Sequence, residues 1–324
     1  MVETWLPLIA GLVLLVAGGE LLVRGAVQAA ERLGVSPLVI GLTLVGFGTS
    51  MPELVTSVQA GLSGSPGIAY GNIVGSNIAN ILLIGGISAL ICPVVVSEAT
   101  LRRDAALMLG VAALFAALAF TLPMGRLFGT ACVAGLVVYI VTVLRQERRS
   151  AKRGRLHDES AALPLADPNL EAAPRHAGLV APLLLALAGL GLVVIGGALL
   201  VDGAVALARA FGIGETVIGL TIVAVGTSMP ELVTSVIAAL KRQGDVAFGN
   251  IVGSNIYNIL GIGGTTALIA PGTVPSEIVT FDAPLMVGVS ALLVVFAATA
   301  RRIDRWEGLS LTAGYGVYLY VLWP

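Results

Sequence analysis

One stretch of this chain is written twice. Gly48-Thr49-Ser50-Met51-Pro52-Glu53-Leu54-Val55-Thr56-Ser57 recurs as Gly226-Thr227-Ser228-Met229-Pro230-Glu231-Leu232-Val233-Thr234-Ser235. Further on, Gly71-Asn72-Ile73-Val74-Gly75-Ser76-Asn77-Ile78 recurs as Gly249-Asn250-Ile251-Val252-Gly253-Ser254-Asn255-Ile256. Every matched pair is 178 positions apart, and Val39–Gly86 shares 34 of 48 residues with Val217–Gly264. Each copy sets a carboxylate, Glu53 or Glu231, beside hydroxyls, Thr49 and Ser50 or Thr227 and Ser228. Pro52 has no amide hydrogen, so the Gly48 carbonyl is expected to lose its helical partner, and Pro230 does the same to Gly226. In lipid a freed carbonyl must find another partner, and a cation is a suitable one. In the second motif Ser76 and Asn80, like Ser254 and Asn258, are four apart and share a helical face, which Asn72 extends. Thr56 and Ser57 read as packing or supporting residues.

The pooled donors are all oxygen, which suits hard cations such as Ca²⁺ and Na⁺. The two histidines, His157 and His176, fall far from the motifs, and Cys92 and Cys132 read as small buried hydrophobes. Two glutamates balance one Ca²⁺ or two Na⁺, and a third Na⁺ leaves the site one charge positive. A site that one dication or several monocations must fill is a physical basis for exchange.

The elements around these residues must be transmembrane helices. Of the 324 residues, 57% are hydrophobic and 11% charged, against about 25% charged in a soluble domain. Runs such as Ala105–Leu118 and Leu183–Val201 are apolar throughout most of their length. The 41 glycines suit close helix packing in lipid. Polar and Gly/Pro punctuation divides the chain into ten spans. The first five are Trp5–Ala29, Pro37–Leu62, Ile68–Ile91, Asp104–Leu122 and Leu127–Leu144. The second five are Leu179–Ala208, Thr216–Leu240, Val246–Ile269, Phe281–Ala300 and Gly308–Leu322. Residues 1–145 form the first five-helix repeat and 179–324 the second. The basic segment 146–178 between them reads as a mobile linker. The N-terminus lacks the basic start of a cleaved signal peptide.

With the N-terminus outside, 16 of the 18 basic residues fall in cytoplasmic loops or the linker. The positive-inside rule therefore places both termini outside and the linker in the cytoplasm. A copy displaced by five spans enters the membrane from the opposite side. The expected fold is thus an all-α polytopic membrane protein of ten transmembrane helices, arranged as two inverted five-helix repeats. Inverted repeats mark secondary transporters with a site at the repeat interface. No Lys or Arg lies within the second, third, seventh or eighth span away from its ends, so Glu53 and Glu231 have no basic partner. Unpaired intramembrane acids are costly and point to function. Glu20 and Arg24 read as a structural pair, and Glu98, Glu277, Asp104 and Asp282 as interfacial residues.

At these motifs the sequence resembles the calcium/cation antiporter superfamily, in particular its sodium/calcium exchanger branch. Gly-Thr-Ser-x-Pro-Glu and Gly-Asn-x-x-Gly-Ser-Asn, each present twice, match that family's two alpha-repeats, and the likeness covers the ten-span layout. The resemblance implies four ion sites at the centre of a five-plus-five inverted fold. By position, Glu53 and Glu231 would be carboxylates shared by Ca²⁺ and Na⁺. Thr49, Ser50, Thr227 and Ser228 would give hydroxyl and backbone oxygens, and Ser76 and Ser254 would complete flanking Na⁺ sites. Gly46 and Ala224 would give backbone carbonyls, and Asn80 and Asn258 would face the middle. Relatives of this branch often carry Asp at the position of Asn258; here both positions are Asn, so a titratable group is missing. The acid that potassium-dependent relatives place in this region is also absent, which disfavours K⁺ co-transport. The short linker has no room for the calcium-sensing domains of animal relatives.

The expected function is therefore antiport of Ca²⁺ for Na⁺ by alternating access in the plasma (inner) membrane. Buried carboxylates can also carry protons, so a Ca²⁺/H⁺ antiporter is the alternative, and a passive channel with a two-carboxylate filter is a more distant one. An intramembrane hydrolase at Ser50 or Ser228 lacks a base. The partners expected are Ca²⁺, Na⁺ and the bilayer, with no prosthetic group and no nucleic acid, and the monomer is expected to suffice.

Overall fold

The computed structural model describes residues 2–32, 46–153 and 179–323. His157, His176 and the start of the second expected span lie outside the described residues. Among the described residues the regular structure is helical apart from one two-residue ladder and a single bridge. The first-half helices are α1 (Val2–Arg32), α2 (Gly46–Thr49), α3 (Met51–Leu62), α4 (Pro66–Ile91), α5 (Leu101–Thr121) and α6 (Arg126–Arg153). The second half repeats them as α7 (Val180–Phe211), α8 (Glu215–Thr227), α9 (Met229–Leu240), α10 (244–269), α11 (Ile278–Ala298) and α12 (Arg305–Leu322). Among the described residues six helices are long and apolar enough to cross a membrane: α1, α4, α5, α6, α7 and α11. A seventh candidate is the pair α8–α9, which bends by 49°. Helix α6 continues to Arg153, nine residues beyond the expected end at Leu144, so the start of the expected mobile linker is helical.

Apolar side chains cover the outside. Leu6, Ile9 and Val13 of α1, Leu183, Leu184 and Leu187 of α7 and Val137 and Val138 of α6 are all exposed. An apolar surface this broad is one that lipid must cover. Helix α4 is the opposite case, buried at every position from Gly67 to Leu82. Protein surrounds it, so its Asn and Ser side chains never meet hydrocarbon.

Close helix contact comes from glycine. In α1, Gly11, Gly18 and Gly25 are seven apart and face α7. A Cβ at Gly11 would lie 2.6 Å from the Leu200 nitrogen, and one at Gly18 2.8 Å from that of Val193. Gly25 faces Pro182 and Ala186. As the α1 number rises the α7 number falls, so the two helices pack antiparallel. Helix α4 packs on α8 through Gly67, Gly71 and Gly75, which face Thr216, Gly219 and Leu220 in turn. Here both numbers rise together, so the pair is parallel. Each half also lends its last helix to the other. Gly86 of α4 meets Gly308 and Thr312 of α12, and Gly264 of α10 meets Gly129 and Cys132 of α6.

The loops repeat this exchange. Strand β1 (Val94–Val95) pairs antiparallel with β2 (Arg302–Ile303), and Met124 pairs with Gly272 by a single bridge. Beside the ladder, Glu98 is held by Arg102 at 2.9 Å and Arg301 at 2.8 Å.

Two acids expected at the interface are buried instead. Asp104 is 6% exposed and Asp282 2%. Each accepts a tyrosine hydroxyl from the last helix of its half: Tyr139 to Asp104 at 3.2 Å and Tyr318 to Asp282 at 2.8 Å. A buried carboxylate needs such a partner, and the bond braces α5 to α6 and α11 to α12. Glu20 and Arg24 pair as expected.

Candidate cation-binding site

The proline of each duplicated motif begins a helix. Ser50 is a turn residue (φ −88°, ψ 7°) between α2 and α3, and Pro52 sits in the first turn of α3. Ser228 has the same backbone (φ −81°, ψ 10°) between α8 and α9. A first-turn proline is tolerated because its missing N–H had no intrahelical acceptor there. The break therefore falls two residues before the proline. It turns the serine and the glutamate three residues later into the protein interior.

There the halves cross. Ser50 Oγ donates to Glu231 Oε1 at 2.9 Å, and Ser228 Oγ donates to Glu53 Oε1 at 2.8 Å. Glu53 is 1% exposed and Glu231 2%. Among the described residues, neither carboxylate is paired with Lys or Arg. The second oxygen of each, Glu53 Oε2 and Glu231 Oε2, is buried with no hydrogen-bond partner. Two such anions in a protein interior need compensating positive charge. The chemistry of the donor set, carboxylate, hydroxyl and amide oxygens, fits a hard cation.

Helices α4 and α10 wall the site with their asparagines. Asn72 Nδ2 donates to the Glu53 carbonyl at 3.1 Å and to Ser57 Oγ at 2.9 Å. Asn250 does the same to the Glu231 carbonyl at 3.3 Å and to Ser235 at 2.8 Å. These two residues position the glutamate-bearing helices, and their identity in the two copies is the sequence signal for that role. Thr227 Oγ1 donates to Asn72 Oδ1 at 3.0 Å, tying α8 to α4. The Ala224 carbonyl accepts from Ser76 Oγ at 3.4 Å. Ser254 is buried, and Gly46 is the first residue of α2. A π-helical segment begins at Asn80 in α4 and at Tyr257, next to Asn258, in α10. Such segments recur at functional sites because they shift the backbone register.

Asn80 and Asn258 are both buried, yet they are held differently. Asn80 Nδ2 donates to Asn255 Oδ1 at 3.2 Å, leaving Asn80 Oδ1 without a partner. Asn258 has no partner at either amide atom. A second inequality lies alongside. The ring of Phe47 packs on Tyr257, centroids 6.0 Å apart, where the pair related by the repeat is Val225 and Ala79.

Comparison with known proteins bears on this site. The model of the family described as "Sodium/calcium exchanger protein" matches residues 4–146 and 181–323. The sodium/calcium exchanger MaX1 of Methanosarcina acetivorans is 36% identical, with 98% of each chain covered. The inner membrane protein YrbG of Escherichia coli is 35% identical over 98% of this chain and 95% of its own. Among solved structures, the sodium-calcium exchanger NCX_Mj soaked with Na⁺ and Sr²⁺ aligns over 98% of both chains, with a TM-score of 0.64 and 32% identity.

Proposed function

The chain belongs to the sodium/calcium exchanger family of multi-pass membrane antiporters, and from that premise we propose that it exchanges Ca²⁺ for Na⁺ by alternating access. One observation carries the reading. Glu53 and Glu231, one from each half, each take a serine hydroxyl from the other half and keep one buried oxygen unpartnered. Two negative charges are neutralised by one Ca²⁺ or by two Na⁺. Either cargo therefore satisfies the site and both together overfill it, which couples their movements in opposite directions.

The ligands in this reading are Glu53, Glu231, Thr49, Thr227, Ser50, Ser228, Ser76, Ser254, Asn80 and Asn258, with the carbonyls of Gly46 and Ala224. The fold that carries it is ten transmembrane helices in two inverted repeats, with both termini outside and the linker in the cytoplasm. The antiparallel packing of α1 on its counterpart α7 supports the inversion, as do the reciprocal contacts of α4 with α12 and α10 with α6. The exchanger works as a monomer in the plasma membrane, without a prosthetic group.

Proteoliposomes loaded with Na⁺ and diluted into Na⁺-free medium containing Ca²⁺ test the coupling. Ca²⁺ uptake is expected only with Na⁺ inside. Uptake that ignores Na⁺ and follows a pH gradient would replace this reading with Ca²⁺/H⁺ exchange. Uptake without any counter-ion would replace it with a channel.

A further inference from the structure

The doubled asparagine at positions 80 and 258 belongs to a larger duplicated set. Asn77 and Asn255, Asn80 and Asn258, and Met108 and Met286 are all 178 positions apart. The second half's asparagine makes a chain of contacts. Asn80 Nδ2 donates to Asn255 Oδ1 at 3.2 Å, and Asn255 Nδ2 donates to Met108 Sδ at 3.5 Å. The first half's asparagine does not repeat it. Asn77 Nδ2 turns back to the Ile73 carbonyl of its own helix at 2.7 Å, and Asn258 keeps both amide atoms unpartnered at 1% exposure. Met286 is fully buried on α11, a helix that packs against α4 as α5 packs against α10. Every component of a second chain is present and in neighbouring elements, but only one chain is formed.

The chemistry of an amide gives this inequality a meaning. An asparagine offers an oxygen that a cation accepts and an N–H₂ group that it repels. Holding Nδ2 of Asn80 on Asn255 leaves the oxygen as its free end. The contact of Asn255 to the Met108 thioether fixes which way Asn255 itself faces. Asn258 has no such hold, so nothing orients its oxygen. Thioether sulfur is a weak acceptor on a flexible side chain, so this brace releases at little cost. Two halves with the same residues have two arrangements of similar energy, which differ in which half makes the chain.

We propose that Asn255 and Asn77 are positioning residues that act in alternate states. Asn255, braced on Met108, presents the oxygen of Asn80 to the cation in the state seen here. Asn77, braced on Met286, presents the oxygen of Asn258 in the oppositely facing state. This rests on the exchange reading above, and it assigns the two asparagines as ligands in turn.

The test measures half-saturating Ca²⁺ for Na⁺-driven exchange in right-side-out and everted membrane vesicles. Losing one neutral hydrogen bond corresponds to roughly a three- to tenfold weaker affinity. Asn255→Ala is expected to give that shift in one vesicle type and less than about twofold in the other, and Asn77→Ala the reverse. Met108→Leu and Met286→Leu keep the side-chain volume and remove the sulfur acceptor. They are expected to show the same sidedness at about twofold, and they decide the matter if an alanine variant does not fold. Equal shifts on both sides, shifts on the same side for Asn255 and Asn77, or no shift in folded variants would overturn the alternation while leaving the exchange reading intact. Wild-type vesicles without Na⁺-driven Ca²⁺ movement would overturn both.

Discussion

At the glutamates the two halves are alike, and at the asparagines beyond them they are not. Ser50 reaches Glu231 and Ser228 reaches Glu53 at nearly the same distance, and Asn72 and Asn250 hold their glutamate helices through the same pair of acceptors. Then Asn255 joins Asn80 to Met108 while Asn77 folds back on its own helix. Contacts made identically by both copies do not depend on which half is in which arrangement. Contacts made by one copy do. In the alternating-access reading proposed above, the like bonds mark the fixed frame of the site, and the unlike bonds mark what differs between its two facing states.

The largest test of the shared frame removes one charge. Glu53→Gln and Glu231→Gln are each expected to abolish exchange, by about 100-fold or more, while the protein stays monodisperse in detergent. Retained exchange in either would break the equivalence of the halves. Next come Ser50→Ala and Ser228→Ala. Each removes a hydrogen bond to a charged group, worth about 1.5–3 kcal/mol, so half-saturating Ca²⁺ is expected to rise about 10- to 100-fold, and to a similar extent in both variants. A large effect in only one would show that the serines are not equivalent.

The acidic braces sharpen the comparison from outside the site. Asp104 takes Tyr139 and also a two-point bond from Arg103, at 2.6 and 2.8 Å. Asp282 takes Tyr318, and among the described residues no basic side chain pairs with it. Asp104→Asn is expected to lower the thermal midpoint in detergent, corresponding to about 1–3 kcal/mol. Asp282→Asn keeps the tyrosine bond and removes a buried charge, so its midpoint should stay level or rise. The smallest effects separate the two uses of glycine. Gly18→Ala meets backbone atoms of α7 at under 3 Å and is expected to cost about 1–3 kcal/mol. Gly110→Ala, with nothing within 4 Å, should be neutral or stabilise by at most about 1 kcal/mol.

The duplicated motif was legible because it breaks the rule of its surroundings. Acids, hydroxyls and amides within apolar sequence stand out, and identical spacing in both copies brings Glu53 and Glu231 together on paper as in space. The position of the break was less legible. Pro52 was expected to free a carbonyl in mid-helix, but it starts α3, and the turn lies at Ser50. A proline suits both places by composition, and tertiary packing chooses between them. Asp104 and Asp282 read as interfacial because charge near a span end is ordinarily solvated. Their tyrosine partners lie about 35 residues away, beyond any local pattern. The inequality of Asn77 and Asn255 could not be read at all, because identical residues in one sequence carry no sign of which arrangement each half adopts.

In the reading proposed above, the two halves build one site and not two. Equilibrium Ca²⁺ binding to the purified protein in detergent, with Na⁺ as competitor, tests it directly. One Ca²⁺ is expected to bind per chain and to be displaced by Na⁺, with no binding at the same concentrations in either Glu53→Gln or Glu231→Gln. Two Ca²⁺ per chain, with each single variant keeping one, would contradict it.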